Sequence, residues 1–362
     1  MNVTPKNILR AELANMQAYH VADSSGLIKL DAMENPYIYP ATLKEQWLTE
    51  LKQVDLNRYP NPHASELKKT LQQAFSLSPK LELIFGNGSD ELIQLLVMAI
   101  AKPNASILTV TPSFSMYKLI AEYIGVNVVE VPLQQDSFAL QIDLLEKAMQ
   151  EHQPAIIFLA CPNNPTGTLW PQDQVENIIK QATGLVVIDE AYSPFAAYSM
   201  MSLVERYPHA LMMRTVSKMG LAGLRLGWML GEGRWVNELD KMRLPYNINV
   251  LTQVSTNFAL RNIAVFNQQA EQICQQREVL SNALQVMENI EVFPSEANFI
   301  LFRVLSGTAD RVYQHLLDNK IIIKNVSSGS FGNDLLENCL RVTVGTEKEN
   351  QAFINVLSSA FS

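Results

Sequence analysis

The chain has 362 residues, of which 48% are hydrophobic and 18% are charged. This balance is typical of a folded globular protein and excludes a disordered chain, and the length favours two domains. The net charge of −8 argues against a nucleic acid or an anionic membrane surface as a partner. The N-terminal residues contain no apolar core of a signal peptide, and the most apolar stretch, 92–101, is too short to span a bilayer.

The cysteines and histidines also restrict the class of protein. Cys161, Cys274 and Cys339 are far apart in the chain and form no C-x-x-C pattern. An odd number of unpaired cysteines is typical of a reducing compartment, so we expect a cytoplasmic protein. The five histidines are scattered, with no two at metal-ligand spacing, so the sequence indicates no metal site.

Short β-rich runs alternate with helical stretches through the middle of the chain. The predicted strands are 106–111, 126–133, 156–160, 185–188 and 210–216. Two of them, 156–160 and 185–188, are continuously apolar, as expected for strands that are covered on both faces. The pattern therefore predicts an α/β fold, with a parallel or mixed sheet between helices.

The chain becomes polar and helical from about residue 252 to 288, which predicts one long helix or a helix pair, ended by Pro294. A smaller α/β unit is expected after it. Its predicted elements are strands at 298–304, 321–324 and 339–344, a helix at 309–319 and a last helix from about Lys348. The predicted division is an N-terminal arm with part of the small domain (1–40), a large cofactor-binding domain (41–264) and a small C-terminal domain (265–362).

A glycine-rich turn, Gly-Asn-Gly-Ser-Asp-Glu at 86–91, leads directly into an apolar helix. The free N–H groups and the dipole of such a helix start favour an anion. Ser89 or Asp90 can also cap the helix, and an ordinary capped turn is the commoner explanation of such a segment taken alone.

Two predicted strands end in polar residues. The loop 161–167 (Cys-Pro-Asn-Asn-Pro-Thr-Gly) would aim the Asn164 amide at a ligand, because α/β sheets bind ligands at the carboxyl ends of strands. Asp189 could keep a pyridine nitrogen protonated and make a cofactor an electron sink, and Tyr192 could donate to the same ring oxygen as Asn164. The alternative for the loop 161–167 is an ordinary loop rich in turn-forming residues. The alternative for Asp189 is a helix cap or a salt-bridge partner.

A lysine follows the predicted strand 210–216. Lys218 can supply the amine that an aldehyde cofactor needs for a Schiff base, and Ser217 and Arg225 can bind a phosphate. The glycines between them allow backbone to approach a flat ring. Arg341 lies in an apolar strand, so it is either part of a buried ion pair or a guanidinium fork for a substrate carboxylate.

In their order and combination, these motifs resemble the fold type I pyridoxal-phosphate aminotransferases, and among them the histidinol-phosphate subfamily. The similarity covers nearly the whole chain and includes the segments 30–37, 58–62, 112–117, 245–247 and 295–299. It implies a large domain with a mostly parallel seven-stranded sheet between helices, a smaller α/β domain, and pyridoxal 5'-phosphate as the cofactor.

The resemblance also implies a role for each matching residue. Lys218 would carry the cofactor and move the proton, Asp189 would pair with the pyridine nitrogen, and Phe114 would stack on the ring. Tyr192 and Asn164 would bond the ring hydroxyl oxygen. The implied phosphate ligands are Ser89, Asp90, Ser217, Arg225 and, from the neighbouring subunit of a symmetric homodimer, Tyr59. The implied substrate-binding residues are Tyr37, Asn164, Lys324 and Arg341.

The implied reaction moves the amino group of L-histidinol phosphate to 2-oxoglutarate, giving imidazole acetol phosphate and glutamate in histidine biosynthesis. Met33, Ile38 and Lys324 depart from the subfamily, which usually has Asn, Gly and often Arg there. Lysine keeps the charge and loses the bidentate fork. An aromatic amino acid donor and a lyase similar to threonine-phosphate decarboxylases remain open. A regulator with an aminotransferase-like module is disfavoured, because the chain has no room or basic segment for a DNA-binding domain.

Overall fold

The computed structural model describes residues 3–10, 23–327 and 334–361. Its α-helices are α1 Pro5–Ile8, α2 Ala41–Leu51, α3 Ser65–Ala74, α4 Ser89–Ala99, α5 Met116–Ile124, α6 Ile142–His152, α7 Gln172–Gln181, α8 Met201–Arg206, α9 Gly233–Asp240, α10 Val250–Arg261, α11 Ile263–Gln285, α12 Ala309–Asp318 and α13 Glu347–Ser359. Its strands are β1 Ile28–Lys29, β2 Leu81–Asn87, β3 Ser106–Thr111, β4 Asn127–Pro132, β5 Ile156–Ala160, β6 Leu185–Asp189, β7 Ala210–Thr215, β8 Leu226–Glu232, β9 Ile290–Val292, β10 Phe299–Val304, β11 Ile321–Ile322, β12 Lys324–Asn325 and β13 Cys339–Thr343.

A seven-stranded sheet forms the centre of the protein, in the order β2-β8-β7-β6-β5-β3-β4. Strand β8 is antiparallel to both of its neighbours, and the remaining pairs are parallel. Every residue of β5, β6 and β7 is buried, which explains why these strands are apolar except at their carboxyl ends, where Asp189, Arg214 and Thr215 lie. The predicted α/β fold with a mostly parallel seven-stranded sheet is confirmed.

Strands β2 and β8 were not predicted from the sequence. Glycines interrupt the β pattern of β8, because Gly227 and Gly231 lie where neighbouring atoms leave no room for a side chain. A Cβ at Gly227 would be 2.7 Å from the Ser89 amide nitrogen, and one at Gly231 would overlap Leu211 Cδ2. Gly227 therefore allows the first residue of α4 to approach the start of β8.

A second unit contains an antiparallel sheet in the order β12-β13-β10-β9 and a parallel pair of β1 with β11. The predicted strand at 321–324 is wrong in one respect, because β11 and β12 belong to different sheets. Ile321 pairs with Ile28, whereas Lys324 pairs with Arg341. The short β1 segment thus joins the N-terminal part of the chain to this C-terminal unit.

The predicted helical region of 252–288 is a helix pair, α10 and α11, with Asn262 between them. The Asn262 side chain donates to the carbonyl oxygen of Phe258, which satisfies one of the last carbonyls of α10. The predicted end at Pro294 is wrong, since α11 ends at Gln285 and β9 comes before the proline. No helix in the described ranges is long and apolar enough to cross a membrane.

Candidate active site

A cavity of about 250 Å³ lies where β5, β6 and β7 end, next to the start of α4. Larger cavities of about 310, 370 and 560 Å³ lie elsewhere, and none of these three is lined by Lys218 or Asp189. Nine of the predicted site residues line this cavity: Ser89, Asp90, Phe114, Asn164, Asp189, Tyr192, Ser217, Lys218 and Arg225. The strand ends thus bring together side chains that are more than a hundred residues apart in sequence.

Lys218 lies in a short 3-10 turn that follows β7. Its Nζ is 3.3 Å from the carbonyl oxygen of Ala32 and 5.7 Å from the ring centre of Tyr192. Burial, helped by the positive charge of Arg341, lowers the pKa of the Lys218 amine to about 8. The amine therefore reaches its neutral, nucleophilic form at a lower pH than an exposed lysine does.

Asp189 is the last residue of β6 and is 3% exposed. Its Oδ2 accepts a hydrogen bond of 2.7 Å from the Tyr117 hydroxyl, and its Oδ1 accepts one of 3.0 Å from the Ala191 amide. Burial raises the pKa of this carboxyl to about 6, against the opposing effect of these two neutral donors. A cationic group in the cavity would stabilise the charged form of Asp189.

Tyr117 contacts the site through Asp189, a contact that the sequence did not indicate. It is fully buried, stacks on Phe158 at a ring distance of 4.7 Å and meets Phe114 edge to face at 5.5 Å. Its hydroxyl orients Asp189 through the hydrogen bond described above. The aromatic pair at 114 and 117, three residues apart at the start of α5, is the signal that could have linked it to the site.

A hydrogen-bonded chain runs across the cavity from one unit to the other. The Asn164 amide donates to the Tyr192 hydroxyl at 3.1 Å, and the Arg341 guanidinium donates to the amide oxygen of Asn164. Arg341 also donates to the carbonyl oxygen of Asp31 at 2.9 Å and lies 5.2 Å from the ring centre of Phe299. The guanidinium of the small sheet thus reaches the large-sheet site.

The start of α4 forms the opposite end of the cavity. Its N-cap is Gly88, which has φ +84°, so the predicted capping by Ser89 or Asp90 is wrong and both are the first helical residues. A Cβ at Gly88 would be 2.6 Å from an Arg225 guanidinium nitrogen, which contacts Asp90 Oδ2 at 3.4 Å. A helix start without a side-chain cap, an arginine and the nearby Ser217 hydroxyl form an anion-binding arrangement.

A buried ion pair links β7 to the residue that follows β6, on the face of the sheet opposite the cavity. Arg214 in β7 donates to Glu190, the residue after Asp189, at 2.7 Å, and the two side chains are 10% and 2% exposed. Thr215 lines the cavity, so Arg214 points to the opposite face of the sheet, since side chains alternate along a strand. This pair was not predicted from the sequence, because a buried pair between neighbouring strands leaves no local pattern.

The segment that precedes α2 forms another wall of the cavity through Ala32, Met33 and Glu34. The Met33 carbonyl accepts a hydrogen bond of 2.9 Å from Asn298, and its amide donates to the Thr343 hydroxyl at 3.0 Å. These bonds hold Met33 at φ 52°, a conformation that side chains rarely adopt. The sequence similarity included this segment, but it did not predict that the segment lies against Lys218.

Four predicted site residues are not among those that line the cavity within one chain: Tyr37, Tyr59, Lys324 and Arg341, of which Arg341 contacts the lining residue Asn164. Tyr59 is 81% exposed and stacks on Tyr246 at a ring distance of 4.5 Å. Lys324 is the strand partner of Arg341, and burial and the Arg341 charge lower its pKa. Tyr37 lies by the N-terminus of α13, where burial and the charges of that turn raise its pKa. A single chain therefore brings most of the predicted cofactor-binding residues together in one cavity, but not all of the predicted site residues.

Comparison with known proteins identifies the family. The profile of aminotransferases of class I and II matches residues 25–357 of the chain. The chain belongs to the class I and II aminotransferase family. This aminotransferase is 48% identical to a protein of Nitrosococcus oceani named histidinol-phosphate aminotransferase 2, over 97% of this chain and 96% of the relative. It is 45% identical to the histidinol-phosphate aminotransferase of Chromobacterium violaceum, over the full length of both.

Solved structures show the same fold. A histidinol-phosphate aminotransferase from Clostridium acetobutylicum superposes on this aminotransferase with a TM-score of 0.83, at 22% identity, over 92% of this chain and 98% of that one. One from Sinorhizobium meliloti, solved in complex with pyridoxal-5'-phosphate, gives a TM-score of 0.82 at 22% identity, over 92% and 90% of the two chains. At this identity the likeness establishes the fold and leaves the substrate to the arguments below.

Proposed function

We propose that this aminotransferase uses pyridoxal 5'-phosphate to transfer the amino group of L-histidinol phosphate to 2-oxoglutarate, a step of histidine biosynthesis. The assignment of the substrate rests on the similarity, along nearly the whole chain, to proteins named histidinol-phosphate aminotransferase, at 48% and 45% identity. The observation that supports the chemistry is the cavity that contains a buried amine and a buried carboxylate together with an anion-binding helix start.

The cavity fits this cofactor in three respects. Asp189 is a buried carboxylate that a cationic ring nitrogen would stabilise, and Lys218 supplies an amine of lowered pKa. Gly227 and Gly88 leave the space that brings the start of α4 and Arg225 close together for a phosphate. When bound, pyridoxal phosphate supplies a ring that accepts the negative charge left when the α-proton departs.

Different residues around the cavity move the proton and bind the cofactor ring. Nζ of Lys218 takes the α-proton of the amino donor and later returns it, acting as base and then as acid. Asp189, oriented by Tyr117, keeps the ring nitrogen protonated. Tyr192 and Asn164 bond the ring oxygen, and their mutual hydrogen bond fixes both donors before the ligand arrives.

We assign the phosphate of the cofactor to Ser89, Asp90, Ser217 and Arg225. Burial raises the pKa of the Asp90 carboxyl, while the positive charge of Arg225 opposes that effect. An anion next to Asp90 would be repelled by its carboxylate, so we assign its backbone N–H, rather than its side chain, to the phosphate. Phe114, packed against Tyr117, is assigned to one face of the ring.

We assign the substrate carboxylate to Arg341 and the substrate phosphate to Lys324, with Tyr37 nearby. Arg341 already contacts Asn164, so a bound carboxylate would lie next to the cofactor. The strand pairing of Lys324 with Arg341 places two cations side by side, which suits a site that must accept a phosphate monoester and a dicarboxylate in turn.

The lowered pKa of Lys218 leads to a pH prediction. The rate at which the cofactor-free protein attaches pyridoxal phosphate should rise with pH and level off above about 8, because only the neutral amine attacks the aldehyde. Stopped-flow absorption of the attached cofactor measures this rate. A rate that keeps rising to pH 10, as for a lysine of ordinary pKa, would contradict the assignment of the buried amine.

The steady-state experiment that tests the proposed function supplies 2-oxoglutarate with one amino donor at a time. Glutamate should form with L-histidinol phosphate as the donor. With L-phenylalanine the rate of glutamate formation should be lower by at least about tenfold, because the imidazole and the phosphate both contribute to binding. L-threonine phosphate is tested for carbon dioxide release. Turnover of phenylalanine alone would overturn the substrate, and carbon dioxide release would overturn the reaction.

We propose the domain division predicted from the sequence: 1–40 as an arm with part of the small domain, 41–264 as the large domain and 265–362 as the small domain. The seven strands of the large sheet lie within 81–232, and the four-stranded sheet lies within 290–343. Pairing of β1 with β11 supports the assignment of the N-terminal part to the small domain. Asn262, between α10 and α11, lies close to the proposed boundary.

We also propose that the protein is a cytoplasmic homodimer in which Tyr59 binds the cofactor phosphate of the partner subunit. The exposure of Tyr59 supports this, because the residue is 81% exposed in one chain. It is stacked on Tyr246, which is 40% exposed, and Leu56 and Leu244 are also exposed, at 71% and 70%. Exposed apolar groups of this kind are typical of an interface.

A complementation experiment tests the shared site. Tyr59→Phe should weaken cofactor binding by roughly tenfold, through loss of one hydrogen bond to a charged group. In a mixed dimer of a Lys218→Ala subunit and a Tyr59→Phe subunit, one site has both native residues if Tyr59 acts across the interface. Titration with cofactor should then show one site per dimer with the affinity of the unaltered protein. Loss of this tight site in the mixed dimer would place Tyr59 in its own subunit's site.

A further inference from the structure

The cavity is lined by three carboxylates, and two of them have a role within the site. Asp189 accepts hydrogen bonds from Tyr117 and Ala191, and Asp90 contacts the Arg225 guanidinium. The third is Glu34, on the wall formed by the segment that precedes α2. The proposed chemistry does not use Glu34, so its position in the cavity calls for a separate explanation.

Glu34 is only partly neutralised. Its Oε2 accepts a hydrogen bond of 2.7 Å from Lys29 Nζ, and its side chain is 49% exposed. Lys29 also contacts Asp31 Oδ1 at 3.1 Å, so one ammonium group is shared by two carboxylates. A carboxylate accepts hydrogen bonds through both oxygens, and Glu34 therefore retains capacity for a donor from a ligand.

The charge of Glu34 acts on the reacting end of the cavity. Burial and the charge of Arg341 lower the pKa of Lys218, and the negative charge of Glu34 opposes them. The same wall supplies the Ala32 carbonyl that accepts from Lys218 Nζ, two residues before Glu34. A molecule bound at the Lys218 amine would thus have the Glu34 carboxylate within its electrostatic reach.

We propose that Glu34 is a specificity-determining residue that accepts a hydrogen bond from the imidazole N–H of the amino donor. This inference rests on the proposed function. An imidazole always carries at least one N–H and is partly cationic near neutral pH, so a carboxylate is a matching acceptor. Glutamate, the other amino compound of the reaction, has a second carboxylate at that end, which Glu34 repels and which Lys324 attracts, while Arg341 binds the first carboxylate.

One residue would in this way separate the two substrates that share the site. The imidazole of histidinol phosphate would point towards the Lys29–Glu34 pair, and the side chain of glutamate would point towards Lys324, the strand partner of Arg341. Because Lys29 partly neutralises Glu34, the repulsion of glutamate is weakened and the reverse half of the cycle can still proceed. The arrangement predicts discrimination between substrates without a change in the chemical step.

The test is the pair of half-reactions of the cofactor-bound Glu34→Gln protein, with L-histidinol phosphate and with L-glutamate. For histidinol phosphate, kcat/KM should fall about tenfold, mainly through KM, as expected for a half-exposed charged hydrogen bond. For glutamate, kcat/KM should be unchanged or higher. Glu82→Gln is the matched control, because Glu82 binds Lys68 at the same 2.7 Å with a similar exposure of 46% and lies outside this cavity.

Each outcome decides a different point. Equal losses for both substrates in Glu34→Gln, or a loss for glutamate alone, would overturn the assignment of Glu34 and leave the proposed function intact. A Glu82→Gln protein with the same change in the ratio would also overturn it, because the effect would then come from net charge. Failure of the unaltered protein to react with histidinol phosphate would overturn the proposed function, and this inference with it.

Discussion

Replacement of Lys218 by alanine is expected to lower kcat by at least about 10³-fold. The residue supplies both the amine that holds the cofactor and the group that moves the α-proton, and a methyl group can do neither. The change removes a buried amine whose lowered pKa shows that burial disfavours its charged form, so the protein should remain folded. Turnover of histidinol phosphate and the absorption of the attached cofactor are the two measurements.

A second lysine variant controls for the loss of a positive charge. Lys241 is exposed at the end of α9, where it contacts Glu238, and it lies outside the cavity. Lys241→Ala should keep the activity and the cofactor absorption of the unaltered protein. Activity of Lys218→Ala within a factor of ten of normal would remove the basis of the proposed mechanism.

The second large effect is expected from Asp189→Asn. The amide retains the size of the side chain and loses the negative charge, so it no longer holds a proton on the ring nitrogen. We expect kcat to fall by about 10²- to 10³-fold, since a charge aimed at the developing ring charge is lost. Cofactor attachment through Lys218 should persist, which separates this variant from Lys218→Ala. A kcat within threefold of normal would contradict the pairing.

Asp189→Asn, which lowers kcat, should in contrast raise the free energy of unfolding of the cofactor-free protein. Burial raises the pKa of Asp189 from 3.8 to about 6, so the folded state holds this proton more tightly than the unfolded state does. The ionised carboxylate therefore destabilises the fold progressively between about pH 4 and 6, and fully above pH 6. Asp189→Asn should be at least as stable as the unaltered protein at pH 7, with an advantage that grows across that window. Urea unfolding at several pH values measures it.

The sequence predicts those parts of the fold that depend on local pattern. Strands β3, β5, β6 and β7 were found within one residue, because each is a short run of β-forming residues with turn signals on both sides. Asp189 was recognisable because an acidic residue ends an apolar strand, and Lys218 because Ser217, the glycines and Arg225 accompany it and the other motifs precede it in order. Their approach follows from topology, since parallel neighbouring strands end at one edge of the sheet.

The remaining features depend on contacts between distant segments. Strand β8 was missed because Gly227 and Gly231 reflect the atoms that pack against them, Ser89 and Leu211, rather than strand propensity. Tyr117 looks like any buried aromatic residue until its hydroxyl is found on Asp189. No local pattern could show that a residue as close to the N-terminus as Glu34 lines the same cavity as Lys218.

The site also depends on how the two units meet. Arg341 belongs to the small sheet, yet its guanidinium binds Asn164 of the large-sheet loop. Asn35 connects the same regions, because its amide donates to the Met219 carbonyl at 3.0 Å. A substrate carboxylate at Arg341 would therefore act directly on the position of Asn164 next to the cofactor ring.

The most direct test of the account is a single half-reaction. The purified protein with bound cofactor is mixed with L-histidinol phosphate in the absence of any oxo acid, and the absorption of the Lys218-attached cofactor is followed. We predict rapid, stoichiometric loss of that band, with recovery when 2-oxoglutarate is added. A band that persists with histidinol phosphate and disappears with L-phenylalanine would contradict the proposed substrate. A band that no amino donor removes would contradict transamination at Lys218.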